Sequence, residues 1–217
     1  MVSPDYTFLT AAASVSGMKS LPDGASTGVC GVVISAALTN GFYVQDSNRT
    51  CGIKVLGTAN AGIGDVVTVF GDLTTVAGER VLANAIITKT SSGTAPKPLA
   101  LTNKGLGGTD FAYSSGTGAG QRGVACGIGP NNIGLLVRTT GRVTGVSGTF
   151  FYADDGAQAH DASAFTGVRV NCDRITLPAS GQYVAVSGIS SILNLSGDYY
   201  RSISPRSAYD IQVIPAP

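Results

Sequence analysis

The chain has 217 residues, of which only 12% are charged, and its 14 Lys and Arg against 13 Asp and Glu leave a formal net charge of +1. A chain without a basic stripe has little to offer a phosphate backbone, so the composition disfavours nucleic acid as a partner. Copies with so little charge repel one another weakly, which leaves self-association open beside a monomer with a neutral surface. No apolar run approaches the ~20 residues of a membrane-spanning helix.

The chain begins with an arm, residues 1–14. Within it, Tyr6-Thr7-Phe8-Leu9-Thr10 alternates apolar and polar side chains as a β-strand does. The arm has no counterpart in the internal repeat described below, so it either folds back on its own module or adds to a sheet edge of another copy. Tyr6, Phe8 and Leu9 are therefore the candidate assembly residues. The first residues lack the positively charged start of a signal peptide.

Residues 15–95 are predicted to form the first of two modules. No stretch of the chain shows a convincing 3.6-residue apolar period, so we expect an all-β protein. Turn residues separate five predicted strands in this module, which are 29–38, 41–46, 52–56, 65–73 and 80–89.

Residues 96–132 form a glycine-rich connection. A segment of this length without clear strands is unusual inside a compact domain. Its apolar residues favour packing over both modules rather than a free tether, and they are Leu99, Leu101, Leu106, Phe111 and Tyr113.

The second module, residues 133–217, repeats the first. Phe42-Tyr43 returns as Phe151-Tyr152, and the strand that starts near Gly64 returns near Gly181. The order of landmarks is kept while the loops grow, which indicates an internal duplication. Five strands are again predicted, at 133–146, 149–154, 166–171, 182–190 and 199–214, the last with a break at Pro205.

This strand order suggests a Greek-key barrel of the OB type in each module. The segments Gly41–Asp46 and Arg49–Val55 resemble the "FYIED, RSSGIRV" pattern of bacterial secreted OB-fold modules. Residues 131–144 are similar to the "NNxGLLVRxxGRVT" pattern of the second module of the same tandem unit. The resemblance implies two tandem five-stranded OB-like barrels in an extracellular or cell-surface protein, and it implies no particular activity.

Cys30, Cys51 and Cys126 stand where the resembling modules usually carry small residues. In an OB barrel, Cys30 and Cys51 would open neighbouring strands, while Cys126 and Cys172 would flank the second barrel, so we predict the disulfides Cys30–Cys51 and Cys126–Cys172. A between-module pairing stays open, as do buried free thiols. Disulfides would favour an oxidising compartment.

Little in the sequence points to catalysis or to a metal. His160 is the only histidine and no Gly-x-Ser-x-Gly motif presents a nucleophile. The acids Asp154, Asp155 and Asp161 lack the alternating spacing of a calcium loop. No Cys-x-x-Cys pair supports zinc. We expect no enzyme, no cofactor and no metal.

A ligand face remains an alternative, because OB barrels bind polymers on their second and third strands. The candidate residues are Tyr43, Arg49, Lys54, Tyr152 and Arg169. Carbohydrate is favoured over single-stranded nucleic acid, because the cations are not clustered.

The sequence thus predicts a non-catalytic extracellular structural module that self-associates through its N-terminal strand, as the subunit of a filament or surface layer. The alternative is a ligand-binding tandem OB protein, with cell-surface carbohydrate as its partner.

Overall fold

The computed structural model describes residues 11–215, and it confirms the all-β prediction. Two large sheets and one two-stranded hairpin account for the strands of this part of the chain. The only α-helix within it is a single turn, α1 (Val15–Lys19). No helix in the described range is long and apolar enough to cross a membrane.

The first sheet contains six strands, and five of them are paired in a circle. The order is β1-β2-β3-β4-β6-β5, and β5 also pairs with β2. The strands are β1 (Ala11–Ala12), β2 (Ser26–Leu38), β3 (Gly41–Gln45), β4 (Gly52–Val55), β5 (Val66–Val76) and β6 (Glu79–Ser91).

The second sheet repeats this pattern. Its order is β15-β13-β14-β12-β11-β10-β7, and β13 also pairs with β10. Its strands are β7 (Leu99–Ala100), β10 (Leu136–Ser147), β11 (Phe150–Asp154), β12 (Val168–Asn171), β13 (Tyr183–Leu195), β14 (Asp198–Ser204) and β15 (Ile211–Ile214). Even the β-bulge recurs, between Ile34 and Ala36 in β2 and between Val143 and Gly145 in β10.

The connection between the sheets carries a hairpin, β8 (Phe111–Ser114) and β9 (Ala119–Gln121), and hydrogen-bonds to both of them. Gln121 Oε1 accepts from the Arg80 amide at 2.8 Å, and the Ala125 amide donates to the Tyr199 carbonyl oxygen at 2.7 Å. Leu106 is fully buried in the second core, but Tyr113 is 39% exposed, so that residue does not meet the expected burial.

The duplication extends further upstream than the sequence indicated. Ser14 caps α1 by accepting from the Gly17 amide, and Thr102 caps a 3-10 turn (Asn103–Gly105) by accepting from the Gly105 amide. A short strand precedes each cap and pairs in parallel with β2 or β10.

The aspartate of the repeated Phe-Tyr-x-x-Asp pattern, which is Asp46 in the first sheet and Asp155 in the second, binds the backbone of these two turns. Asp46 accepts from the Val15 amide at 3.1 Å, and Asp155 accepts from the Asn103 amide at 2.8 Å. Both carboxylates satisfy a backbone donor that the first turn of a helix leaves unpaired. The part of the arm from Ala11 to Ser14 thus folds back on its own sheet, which is one of the two alternatives that the sequence left open. It also has a counterpart in the repeat, which the sequence analysis did not expect.

Each sheet wraps a separate apolar core. We call α1 and the 3-10 turn Asn103–Gly105 the two lead-in turns, since each precedes the long first strand of its sheet. Met18 of α1 is buried in the first core, and Leu106, at the end of the 3-10 turn, is buried in the second. A third, smaller cluster lies between the two sheets and contains Ala36, Tyr43, Leu136 and Ile189. This cluster fixes how the sheets meet.

Polar groups complete the junction between the sheets. Lys19, 1% exposed, donates from Nζ to the Ile133 carbonyl oxygen at 2.9 Å, and Gln45 Oε1 accepts from the Leu136 amide at 3.1 Å. Gly52 and Gly134 approach so closely that a Cβ on either would collide with the backbone carbonyl oxygen of the other.

The two sheets differ at the end of the ladder where their long first strands, β2 and β10, begin, and only the second sheet has an apolar pair there. Leu136 pairs with Ile189 at the end of the β10–β13 ladder and supplies the apolar side. At the corresponding end of the β2–β5 ladder, Ser26 pairs with Asp72, and their side chains hydrogen-bond to each other.

Candidate functional site

Two of the predicted ligand-face residues, Tyr43 and Lys54, lie opposite each other on β3 and β4. The Lys54 Nζ atom is 5.9 Å from the centroid of the Tyr43 ring. The Tyr43 hydroxyl donates to Glu79 Oε2 at 3.2 Å. Because only 2% of Tyr43 is exposed, its ring packs in the junction and is not presented to a ligand as a stacking surface.

Glu79, which sequence reasoning missed, is the most unusual group of this site. Burial raises its pKa, against the opposing effects of Lys54, Lys19 and the hydrogen bond from Tyr43. Burial, and then the charge of Glu79, raises the pKa of Tyr43 well above its usual value. Glu79 Oε1 is buried and has no hydrogen-bond partner among the described residues. The one sequence feature that could have drawn attention to this residue is that Glu79 is the only glutamate in the chain.

A cleft of about 730 Å³ opens beside these residues, between the two sheets. Its volume lies within the usual range for small-molecule sites. Arg206, on the wall formed by the second sheet, is held by both carboxylate oxygens of Asp210 and donates to the Ser35 carbonyl oxygen. The lining includes Asn40, Tyr43, Lys54 and Glu79 from the first sheet, and Asn171, Arg174, Thr176 and Arg206 from the second sheet and its loops.

The equivalent pair of the second sheet, Tyr152 and Arg169, also lies opposite across two strands, but outside the cleft. Tyr152 is 1% exposed, and its hydroxyl donates to Asp161 Oδ2 at 2.6 Å. The ring of Phe165 lies 5.3 Å from that of Tyr152, measured between centroids. The guanidinium carbon of Arg169 lies 3.6 Å from the centroid of the Phe150 ring. The face is therefore occupied by the chain's own loop.

Titration of this second cluster follows from the same contacts. Burial, and then the hydrogen bond to Asp161, raises the pKa of Tyr152. Burial alone would raise the pKa of Asp161, but hydrogen bonds from Ser163 and Tyr152 hold it below its ordinary value. Asp161 therefore stays ionised as the acceptor for the tyrosine.

Arg49, the fifth predicted ligand-face residue, does not join either cluster. It adopts a positive φ of 63° in the turn after β3, and its Nη1 donates to the Lys97 carbonyl oxygen at 3.4 Å. The structure thus assigns Arg49 a contact with the connection between the sheets.

The acidic loop of the second sheet is organised by backbone contacts. Asp154 accepts from the Gln158 amide, Asp155 from the Ala157 amide and Asp161 from the Ser163 amide. His160 forms an isolated backbone bridge with Thr166 and is exposed. Across residues 11–215, no group of three His, Cys, Asp or Glu side chains could hold a metal ion.

The predicted disulfides are wrong, because all four cysteines are free thiols. Cys51 and Cys172 belong to the two apolar cores, whereas Cys30 and Cys126 are exposed. Each predicted pair therefore joined a sulfur facing solvent to one facing a core. Burial and the neighbouring Asp173 raise the pKa of Cys172 to about 12, so this thiol stays protonated.

The proposed assembly residues Tyr6, Phe8 and Leu9 lie outside the described residues. The opposite end of the chain carries an open edge, since β15 pairs with β13 alone among the strands of residues 11–215. β15 reads Ile-Gln-Val-Ile and carries no charge. Val213 is 52% exposed, and Tyr209, just before the strand, is 92% exposed.

Comparison of the chain with protein-family models, curated proteins and solved structures found no match. The resemblance to tandem OB-fold modules therefore stays a prediction.

Proposed function

We propose that the protein is a non-catalytic, extracellular structural module that self-associates by β-strand addition. In this proposal the segment Tyr6–Thr10 of one copy pairs with β15 of the next. The observation that carries it is the edge of β15, which is uncharged, apolar except for Gln212, and paired on one side only within the described range. Natural sheets usually block such edges with lysine, proline or a covering segment.

The geometry of this contact favours a chain of copies over a closed dimer. The donor segment precedes β1 of the first sheet in the sequence, whereas the acceptor edge, β15, belongs to the second sheet. A contact between two different surfaces is heterologous, and it builds a filament or layer unless its rotation closes a ring.

The finer fold belongs to the same proposal. We infer that each large sheet is an OB-like five-stranded barrel, and the circular pairing of β2-β3-β4-β6-β5 and of β10-β11-β12-β14-β13 supports this. The extracellular or cell-surface location rests on the resemblance to exported modules. The disulfides no longer support it, because the thiols are free.

The test compares the purified full chain with two variants, one lacking residues 1–10 and one carrying Val213→Lys. We expect the unmodified protein to form large particles in sedimentation velocity and visible assemblies in negative-stain images. Both variants should remain small, because one lacks the donor strand and the other has a charged edge.

Ile128→Lys is the matched control, since Ile128 is 53% exposed and lies outside any strand. It should assemble like the unmodified chain. The proposal fails if the unmodified protein stays monomeric at every concentration. It also fails if the deletion variant and Val213→Lys both assemble as the unmodified protein does.

A further inference from the structure

A groove of about 710 Å³ lies on the second sheet, next to the edge of β15 that has no paired strand within residues 11–215. Four of its lining residues stand directly opposite one another on neighbouring strands and form one row, which runs Ile214, Tyr183, Arg142, Asp154. Directly opposed residues project to the same face of a sheet, so these side chains share the groove. Ile214 and Tyr183 are each 40% exposed, and they give the groove an apolar floor beside the edge.

Arg142 is the cation of this row, and it is free to bind. Its side chain makes no hydrogen bond or ion pair within the described range, although Asp154 stands opposite it. Nη2 of Arg142 lies 3.6 Å from the point that a Cβ on Gly181 would occupy, just before β13. The guanidinium is therefore turned toward β13 and the edge of β15, where it can reach an acceptor that lies over Tyr183.

A strand added to β15 extends this row by one position, opposite Ile214. Neighbouring strands are about 4.8 Å apart, so an aromatic side chain at that position can cross Ile214 and bring its tip over Tyr183. Tyrosine suits the position, because its ring is apolar and its hydroxyl accepts from a guanidinium. Residues 1–10, which precede β1, supply a single tyrosine, Tyr6.

The rest of the donor segment fits the same alignment. In a strand, Tyr6 and Leu9 project to opposite faces. When Tyr6 stands opposite Ile214 in an antiparallel pair, Leu9 stands opposite Ile211, whose side chain packs against the second core. One alignment therefore fills the groove on one face and adds an apolar side chain to the core on the other.

Other alignments that fill the groove from this segment are less favourable. An antiparallel pair with Phe8 in the groove would need Ala11 to complete the pairing with β15, but Ala11 is already paired with β2. A parallel pair with Phe8 in the groove places the Asp5 carboxylate against the core, which is costly. A parallel pair with Tyr6 there places Pro4 inside the ladder, where it has no N–H to donate.

We propose that this groove takes the Tyr6 side chain of the next copy, with its ring on Tyr183 and Ile214 and its hydroxyl accepting from Arg142. The added strand then runs antiparallel to β15, in a single register. This inference rests on the proposed self-association and specifies how its two surfaces meet. A slip by one residue would turn Tyr6 to the other face and leave Arg142 without its acceptor.

Disulfide trapping between two full-length proteins tests the register. Both carry Cys30→Ser and Cys126→Ser, which remove the exposed thiols. The acceptor protein also carries Gln212→Cys, at an exposed position of β15. We expect a donor protein with Phe8→Cys to form the main mixed dimer on a non-reducing gel, because Phe8 stands opposite Gln212 in the proposed register.

Two other donor proteins report the competing alignments. Trapping mainly through Thr7→Cys would show a slip of one residue, and trapping mainly through Tyr6→Cys would show a parallel strand. Either result overturns the inference. So does the absence of any mixed dimer, because the segment would then not pass from one copy to another.

The contact with Arg142 is tested by sedimentation velocity. Tyr6→Phe and Arg142→Gln should each raise the concentration needed for assembly about tenfold. The double variant should be no weaker than either single one, because both remove the same hydrogen bond. Arg174→Gln, at an exposed arginine that does not line the groove, should assemble like the unmodified chain.

The outcomes separate this inference from the proposed function. If Val213→Lys blocks assembly while Tyr6→Phe and Arg142→Gln have no effect, strand addition stands and the role of the groove is overturned. If the unmodified protein does not assemble at all, both ideas fail.

Discussion

The two sheets present the same outer face but cover it in different ways. In the first sheet, Ala36 and Tyr43 pack against Leu136 and Ile189 of the second sheet. In the second sheet, the equivalent positions are Gly145 and Tyr152, and Phe165 from the sheet's own loop lies over them. A Cβ on Gly145 would collide with the Phe165 ring, so the glycine makes room for this cover.

Loop length decides which cover is used. The loop between β3 and β4 spans only residues 46–51, whereas the loop between β11 and β12 spans residues 155–167. The short loop cannot return over the strands, and the neighbouring sheet takes its place. An apolar strand face must be covered. Whether a loop or the neighbouring sheet covers it depends on the length of the adjacent loop and not on the residues of the face.

The largest effect is expected where the cover comes from the other sheet. Leu136→Ala removes a side chain that is 1% exposed, and we expect a loss of about 2–5 kcal/mol in the free energy of unfolding. Urea titration followed by circular dichroism measures it. Ile128→Ala, at an exposed site, should change stability by less than about 0.5 kcal/mol. Equal effects for both variants would mean that the sheets do not depend on this contact.

A smaller effect is expected where the cover is a loop. Phe165 is half-buried, so Phe165→Ala should lose about 1–3 kcal/mol, less than a fully buried phenylalanine. It should also make Tyr152 accessible, which acrylamide quenching of tyrosine fluorescence detects. Tyr113→Ala, at an already exposed ring, is the control. Unchanged quenching in the Phe165 variant would show that another group shields Tyr152.

The two lead-in turns should respond alike, because their caps are equivalent. Ser14→Ala and Thr102→Ala each remove an acceptor for a backbone amide, and we expect each to lose about 1 kcal/mol. Thermal unfolding of both variants measures this, with Ser47→Ala in an exposed turn as the control. A loss in one variant only would argue against the equivalence of the two turns.

The smallest effect concerns pH. Because burial raises the pKa of Glu79 in the folded state, its protonated form stabilises the fold below the ordinary glutamate pKa of about 4.3, and this contribution is lost as the pH rises through the folded value. Glu79→Gln should therefore match the unmodified protein in acid and become the more stable of the two near neutrality. Parallel stability–pH curves would contradict this, and Asp198→Asn controls for loss of a surface charge.

The strands were accessible from the sequence, because apolar alternation and turn residues are local signals. Their repetition was also visible, since the sequence of β3–β4 returns in β11–β12. The two lead-in turns could not be predicted from the sequence, because Ser14–Met18 and Thr102–Leu106 share only a capping residue, a glycine and one apolar residue. One helical turn is too short for a periodic pattern.

The candidate site was predicted only in part. Tyr43 and Lys54, like Tyr152 and Arg169, are opposed across strands as the pattern implied. Their covers depend on contacts between distant segments, which alternation along a strand does not encode. The cysteine pairings failed for a related reason, because a β-bulge near Cys30 changes which side of the strand its side chain takes.

The Ser26–Asp72 pair makes one end of the first sheet unfavourable for contact with another sheet. Hydrogen bonds from Asn84 and Ser26 lower the pKa of Asp72, so the carboxylate remains ionised even in mild acid. Another sheet docking there would have to remove water from the negative charge of Asp72, at a cost that a small apolar patch does not return. This hydrophilic pair therefore disfavours a further contact between sheets at this end of the first sheet, and an additional partner would have to dock through a different surface.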